Sequence, residues 1–207
     1  MKITLISMGA ENLGVEYLSI VLKKAGHQVS LVFDPALFSS EVFFEGKGNK
    51  VLSKIFNRKK KMLEEIKLLD PGLIGFSVLT SNYQWSLDIA KSIKEFFDIP
   101  IVFGGLHSTI VPERVIKNKC VDMIVVGEGE YALLDIADNL ETNKRNYHLN
   151  NVWFKDNGKI IQNGLRPLVN DLDSLPFPDK GLFYQKVPPY QHEYTIMASR
   201  GCSFNCS

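Results

Sequence analysis

The sequence lacks any hydrophobic run that could cross a membrane as a helix. Residues 1–7 are mostly apolar but form a shorter stretch than the apolar core of a secretion signal. No later run reaches the roughly 18 apolar residues that a spanning helix needs. We therefore expect a soluble, cytoplasmic protein with no role at a membrane.

The sequence also lacks an excess of charge of either sign. Lysine and arginine number 24, aspartate and glutamate number 23, and the formal net charge is +1. A broad positive field that would attract nucleic acid or anionic lipid is therefore excluded. A length of 207 residues suits one well-packed domain with an appendage. We expect a monomer that binds a small molecule and does not bind nucleic acid.

Cysteine is scarce, because the chain contains only Cys120, Cys202 and Cys206. Three cysteines do not make a disulfide framework, and thiols of this kind are typical of a reducing compartment. Cys120 follows a predicted helix and precedes a predicted strand, which indicates a small buried side chain. The pair Cys202 and Cys206 indicates a metal site, and a disulfide or an accidental pair is the alternative.

Short apolar runs alternate with helical patterns up to residue 141, and this alternation is typical of βαβ units. Apolar residues at every fourth position, Leu13, Tyr17, Val21 and Ala25, predict the first helix, which would end at Gly26. The pattern predicts an α/β fold, a doubly wound, flavodoxin-like sheet of five parallel strands. The predicted strands are 3–7, 29–33, 73–77, 101–103 and 123–126, and further helices are predicted at 59–69, 86–97, 112–118 and 130–140.

The pattern changes after residue 141, so we predict a first domain at 1–141. Asp156, Asn157 and Gly158 between two apolar segments predict a β-hairpin. Prolines are concentrated in residues 166–190, and they predict an extended linker that completes a second region at 142–193. Residues 194–199 resemble a new strand, which would begin a further unit at 194–207.

The segment 35–57 is longer than most connections between a strand and a helix and contains Phe38, Phe43, Phe44 and Phe56. Two interpretations remain open. The segment is either a loop packed on the edge of the domain or a lid whose aromatic side chains cover a ligand.

Glycine and polar residues follow four of the predicted strands. In a doubly wound sheet, ligands bind at the carboxyl ends of the strands, and glycines there let backbone amides approach a bulky ligand. Ordinary tight turns are the alternative for each loop taken alone. The candidate binding residues are Gly9, Glu11, Asn12 and Gly14 after the first strand, Ser77, Leu79 and Thr80 after the third, Gly104, Gly105 and His107 after the fourth, and Gly127, Glu128 and Gly129 after the fifth.

Several of these elements occur together in one known class of protein. Ser77-Val78-Leu79 is similar to an SxL element and Gly104-Gly105 to a GG element, and residues 127–130 and 166–178 are also typical of the class. The chain resembles the N-terminal cobalamin-binding domain of B12-dependent radical S-adenosylmethionine (SAM) proteins, which include magnesium-protoporphyrin ester cyclases and methyltransferases. This resemblance implies that the SxL and GG elements hold the nucleotide tail of cobalamin.

The segment from Cys202 to Cys206 resembles the first two ligands of the radical SAM CxxxCxxC motif, whose third cysteine would lie beyond Ser207. Thiolates are the ligands that such clusters require. The resemblance implies that the full-length protein carries a [4Fe–4S] cluster, SAM and a downstream radical SAM barrel, and catalyses methyl transfer or a related radical reaction. The chain up to Ser207 would bind cofactor without catalysing the reaction.

The sequence departs from the DxHxxG motif of other B12 proteins, because Gly9 and Glu11 stand where the aspartate and the histidine would be. The resemblance therefore implies that this loop supplies no histidine to cobalt. His107 is left as a cobalt ligand, or as a residue that caps a loop or touches the edge of the cofactor. A scaffold or sensor that has lost its cofactor is the alternative function. A receiver-type signalling domain is disfavoured, because no acidic pocket follows the first strand.

Overall fold

A computed structural model describes residues 1–36, 58–192 and 194–201 of the protein. A single sheet of seven strands forms its centre, with the strand order β2-β1-β3-β4-β5-β6-β7. The strands are β1 Lys2–Met8, β2 Gln28–Asp34, β3 Leu73–Ser77, β4 Ile101–Gly104, β5 Met123–Val125, β6 Val152–Asp156 and β7 Lys159–Gln162. The predicted loop or lid with Phe38, Phe43, Phe44 and Phe56 falls almost entirely outside the described residues, and so do Cys202 and Cys206.

The first five strands run parallel, and their order confirms the predicted flavodoxin-like arrangement. The chain runs from β1 outward to β2 and then back past β1 to β3, so the topological switch point lies between β1 and β3. The strands are short and almost fully buried, as expected for a parallel sheet with helices on both faces.

Helices cover both faces of the sheet. The helices described are α1 Leu13–Lys24, α2 Arg58–Leu69, α3 Tyr83–Phe96, α4 Leu106–Ile110, α5 Pro112–Ile116, α6 Glu130–Glu141 and α7 Gly181–Tyr184. Buried side chains of α1, α6 and α7 pack in one apolar cluster, and those of α2, α3 and α5 pack in a second cluster on the opposite face. Among the described helices, none is both long enough and apolar enough to span a membrane.

The predicted hairpin forms, but it extends the sheet, so the five-stranded prediction was too small by two strands. Asn157 and Gly158 have φ values of 46° and 79°, which is the backbone that a tight two-residue turn requires. Strand β6 pairs antiparallel with β5, and β7 pairs with β6. Without this pairing, β5 would leave a row of backbone N–H and C=O groups unpaired. The alternation of side chains predicts a hairpin but does not indicate which strand of the sheet the hairpin pairs with.

Helix α1 has the predicted bounds, but its buried stripe differs from the predicted one. The buried residues are Val15, Glu16, Ser19, Val21 and Leu22, so the predicted burial of Val21 is confirmed. Leu13 and Tyr17 are half-buried, whereas Ala25 is exposed. The cause is a second contact surface: besides the sheet, α1 contacts the proline-rich segment, where the Ser19 hydroxyl donates to the Asp179 carboxylate at 2.6 Å. A helix that is covered on two sides does not follow the simple four-residue period.

The strand predicted at residues 194–199 does not form in the described structure. This segment has no regular secondary structure and is exposed, with 65% of Tyr194 and 70% of Ile196 accessible to solvent. A β-strand needs a neighbour to accept its backbone hydrogen bonds. No strand lies beside this segment in the described part of the chain.

Candidate cofactor-binding site

A cavity of about 130 Å³ opens at the carboxyl ends of β1, β3, β4 and β5, and helices α1 and α6 form its outer wall. This is the edge of the sheet beside the topological switch point, where the sequence predicts a ligand. Its lining is apolar except for Ser77 and Glu130. The lining residues are Leu5, Gly14, Val15, Leu18, Gly75, Phe76, Ser77, Val102, Gly104, Gly105, Val125, Gly127, Gly129, Glu130 and Leu133.

Glycines keep the sheet side of this cavity open. At Gly104, a Cβ atom would make only ordinary contact, 3.7 Å from the Cβ of Val125, so a methyl group would fit there without a clash. At Gly105 the situation differs, because its φ is 93° and a Cβ atom would lie 2.8 Å from the backbone oxygen of Val78. Gly105 is therefore required by the close approach of two chain segments, whereas Gly104 only preserves the volume of the cavity.

Asn12 connects the loop after β1 to the end of β3. Its Oδ1 accepts a hydrogen bond from the backbone N–H of Val15 at 3.2 Å, which caps α1, and its Nδ2 donates to the Ser77 hydroxyl at 3.3 Å. Ser77 lines the cavity. Because its oxygen accepts the bond from Asn12, the Ser77 hydroxyl can still donate its own proton to a ligand.

Glu11 belongs to a buried cluster of charges and is not free to contact a ligand. The Lys180 ammonium lies 3.2 Å from Glu11 Oε1 and 3.0 Å from Glu16 Oε2. The three side chains are 8%, 9% and 0% exposed, in the same order. Two carboxylates therefore share a single ammonium group away from water.

This sharing changes the proton affinities of the cluster. Burial, followed by the hydrogen bond to Glu11, raises the pKa of Glu16 to about 7, although Lys180 opposes the rise. Burial alone would lower the pKa of Lys180, but the hydrogen bonds and charges of Glu16 and Glu11 outweigh it and raise that pKa. The carboxyl of Glu16 therefore exchanges its proton near neutral pH while Lys180 stays charged.

The loop after β5 contacts the C-terminal segment through two acidic side chains. Glu128 Oε1 lies 3.1 Å from Arg200 Nη1, and Glu128 Oε2 accepts a hydrogen bond from the backbone N–H of Val169 at 2.7 Å. Glu130, which lines the cavity, accepts a hydrogen bond from Arg200 Nη2. Both carboxylates are thus engaged by residues that follow the parallel sheet in the sequence.

His107 points away from the cavity. Its ring contacts the Tyr83 ring of α3, with centroids 4.1 Å apart, and its Nδ1 lies 3.1 Å from Thr80 Oγ1. The imidazole is almost fully buried, and its Nε2 has no hydrogen-bond partner among the described residues. Burial and then the charge of Arg114 lower the pKa of His107, so the ring is neutral at physiological pH.

The structure brings six of the thirteen predicted binding residues together on the cavity wall. These are Gly14, Ser77, Gly104, Gly105, Gly127 and Gly129. The other seven lie beside the cavity or behind it: Gly9, Glu11, Asn12, Leu79, Thr80, His107 and Glu128. Sequence reasoning missed the apolar wall of Leu5, Leu18, Val102 and Leu133, because buried aliphatic residues look alike wherever they pack. It also missed Gly75, although an isolated glycine inside a strand indicates a close approach.

Comparison with known proteins adds independent evidence. Residues 6–137 match the model of the B12 binding domain family. An uncharacterized methyltransferase of Pyrococcus horikoshii is 31% identical over 149 residues, which cover 68% of this chain and 32% of that protein. The anaerobic magnesium-protoporphyrin IX monomethyl ester cyclase of Synechocystis sp. is 27% identical over 139 residues, which cover 65% of this chain and 28% of the cyclase.

A solved structure shares the fold. The radical S-adenosylmethionine methyltransferase TsrM of Kitasatospora setae, solved with cobalamin and a [4Fe–4S] cluster bound, matches with a TM-score of 0.62 and 14% identity, over 86% of this chain and 31% of TsrM. The chain spans less than a third of the length of the two curated relatives described above. The family match and these relatives confirm the resemblance predicted from the sequence, and the chain belongs to the B12 binding domain family.

Proposed function

We propose that the chain is the cobalamin-binding part of a radical SAM enzyme and that the cavity receives the nucleotide tail of cobalamin. The observation that carries this proposal is the apolar, glycine-walled cavity at the carboxyl edge of the sheet in a member of the B12 binding domain family. A volume of about 130 Å³ suits a flat bicyclic base and is too small for a whole corrinoid. The residues present therefore fit the tail.

Each part of the wall has a defined role in this proposal. Leu5, Val102 and Leu133 provide apolar contacts for the faces of a planar base. Ser77 donates a hydrogen bond to a polar atom of the tail, and Asn12 orients the Ser77 hydroxyl. The bound cofactor supplies a cobalt centre that can carry a methyl group.

The proposal extends to the full-length protein. There, Cys202 and Cys206 would hold part of a [4Fe–4S] cluster, which would supply the chemistry for SAM cleavage, and a downstream barrel would hold the substrate. The cysteine spacing and the relatives described above support this assignment, since TsrM is a radical SAM methyltransferase and the Pyrococcus relative is described as a methyltransferase. The reaction would be methyl transfer or a related radical step.

Titration of the chain with hydroxocobalamin, followed by absorption spectroscopy, tests cobalamin binding. Gly104→Trp should weaken binding by roughly tenfold to a hundredfold, because the indole fills the cavity at a cost of about 1–3 kcal/mol. Gly164→Trp is the matched control, since Gly164 has open space around it and does not line the cavity. It should bind like the unmodified chain.

Two results would contradict the proposal. Unchanged affinity in a folded Gly104→Trp variant would place the tail outside this cavity. Failure of the unmodified chain to bind any cobalamin would instead favour a scaffold or sensor that has lost its cofactor. Gly105→Trp is unsuitable for this test, because its clash with Val78 would disturb the backbone whether or not a ligand binds there.

A further inference from the structure

Arg200 makes an unusual set of contacts for a residue in an exposed segment. Its guanidinium contacts the carboxylates of Glu128 and Glu130, and its Cζ lies 5.5 Å from the centre of the Tyr17 ring on α1. Only 20% of its side chain is exposed. The preceding residues, 194–199, are exposed, and the Lys180 ammonium lies 5.1 Å from the centre of the Tyr194 ring.

The two carboxylate partners of Arg200 have fixed positions in the fold. Glu130 is the first residue of α6 and lines the cavity. Glu128 also accepts a hydrogen bond from the backbone N–H of Val169, and this bond orients its carboxylate independently of Arg200. A planar guanidinium can bridge two carboxylates at once and stays charged at every physiological pH, whereas a lysine ammonium presents a compact point charge.

We propose that Arg200 is a positioning residue that holds the segment leading into Cys202 against the edge of the sheet that carries the cavity. Arg200 precedes Gly201 and Cys202 directly in the sequence. In the full-length protein, this contact would set the first cysteine of the cluster motif beside the corrinoid, a consequence that rests on the proposed function. Glu128 and Glu130 would then act as partners of the cluster segment and not as ligands of cobalamin.

The first arm of the test needs no cofactor. Nitroxide labels are placed on Cys202 and on Lys24→Cys at the exposed end of α1, in a Cys206→Ser background in which the buried Cys120 stays unlabelled. Pulsed dipolar spectroscopy then measures the distance between the two labels. We expect a narrow distribution in this background and a broad one in Arg200→Gln.

Two further variants make this arm specific. The double variant Glu128→Gln/Glu130→Gln leaves Arg200 in place and should also broaden the distribution. Asp135→Asn is the matched control, because it breaks the partly buried ion pair with Arg166, which does not involve Arg200. Its distribution should stay narrow. Equal distributions in all variants, or a broad one in the unmodified background, would overturn the proposal.

The second arm tests the consequence for the cofactor. With Co(II) cobalamin bound, the paramagnetic cobalt should speed the relaxation of the nitroxide on Cys202, and Arg200→Gln should reduce this effect by more than half. Unchanged relaxation in Arg200→Gln, with cobalamin bound in both proteins, would refute the positioning role. If no cobalamin binds, the proposed function fails, and the first arm still decides whether Arg200 holds the segment.

Discussion

Replacement of Lys180 by methionine should be among the most damaging single changes that the structure allows. Methionine keeps most of the length of the side chain but removes its charge. Glu11 and Glu16 would then lie together in a buried site without a cation. Removal of one partner from a buried ion pair costs about 3–5 kcal/mol. Because a domain of this size has a total stability of about 5–15 kcal/mol, the loss would be a large share of it.

The loss should depend on pH, and its sign follows from Glu16. The pKa of Glu16 is about 7 in the folded chain against 4.5 for the free residue, which corresponds to about 3 kcal/mol for full ionisation. Between these two values, the folded state binds more protons than the unfolded state, so the stability falls as the pH rises. Without Lys180 the pKa of Glu16 rises further. Lys180→Met should therefore be destabilised more at about pH 8 than at about pH 5.

Urea unfolding, followed by circular dichroism at both pH values, measures this effect. Lys23→Met is the matched control, because Lys23 pairs with Asp179 in the same region but is 38% exposed and should contribute at most about 1 kcal/mol. Glu16→Gln should restore part of the stability of Lys180→Met, since the amide carries no charge. A loss in Lys180→Met no greater than in Lys23→Met, or one equal at both pH values, would refute the reasoning.

Three further outcomes follow from the structure. Gly105→Ala should lower the stability by about 1–3 kcal/mol in thermal unfolding, since alanine tolerates neither a φ of 93° nor the contact with Val78, and an unchanged melting temperature would contradict this. Iron chelation should leave the melting temperature unchanged, because the sheet is complete before Cys202; a large decrease would show that the fold needs metal. Electron paramagnetic resonance of bound Co(II) cobalamin should show unsplit cobalt lines, because His107 is packed against Tyr83 and Glu11 in the loop after β1 offers only oxygen donors, which cause no splitting. Triplets that vanish in His107→Ala would assign His107 as the axial ligand.

The parallel part of the fold was predictable because its signals are local. Each buried strand is a short apolar run, and the helices between them have a period near four residues, so five parallel strands follow from the sequence with bounds correct to about one residue. The pairing of β6 with β5 has no such signal. A hairpin pattern describes how two strands pair with each other and does not indicate which sheet edge they cover.

The candidate site also contains residues that were predictable from the sequence and residues that were not. Glycines at strand ends were predictable, because a doubly wound sheet places its ligand there and glycine has few other reasons to cluster at those positions. The roles of Glu11 and Glu128 were not predictable, because their partners Lys180 and Arg200 lie 169 and 72 residues away in the sequence. His107 was predicted on the ligand edge from its place after β4. Its side chain turns to the other face of the sheet, and strand-end position alone cannot indicate that direction.

Residues outside the region that matches the family model pack against the sheet and helix α1. That region ends at residue 137, yet Phe183 is fully buried and contacts the Phe33 ring edge-on at a centroid distance of 5.3 Å. Lys180 neutralises carboxylates of the loop and helix that form one wall, and Arg200 neutralises Glu130 on the lining itself. If the C-terminal segment were absent, Glu16 would face water or lose its charge, and α1 would lose part of its packing. The segment after the sheet therefore packs against the region that matches the family model, and it leads directly to Cys202 in the sequence.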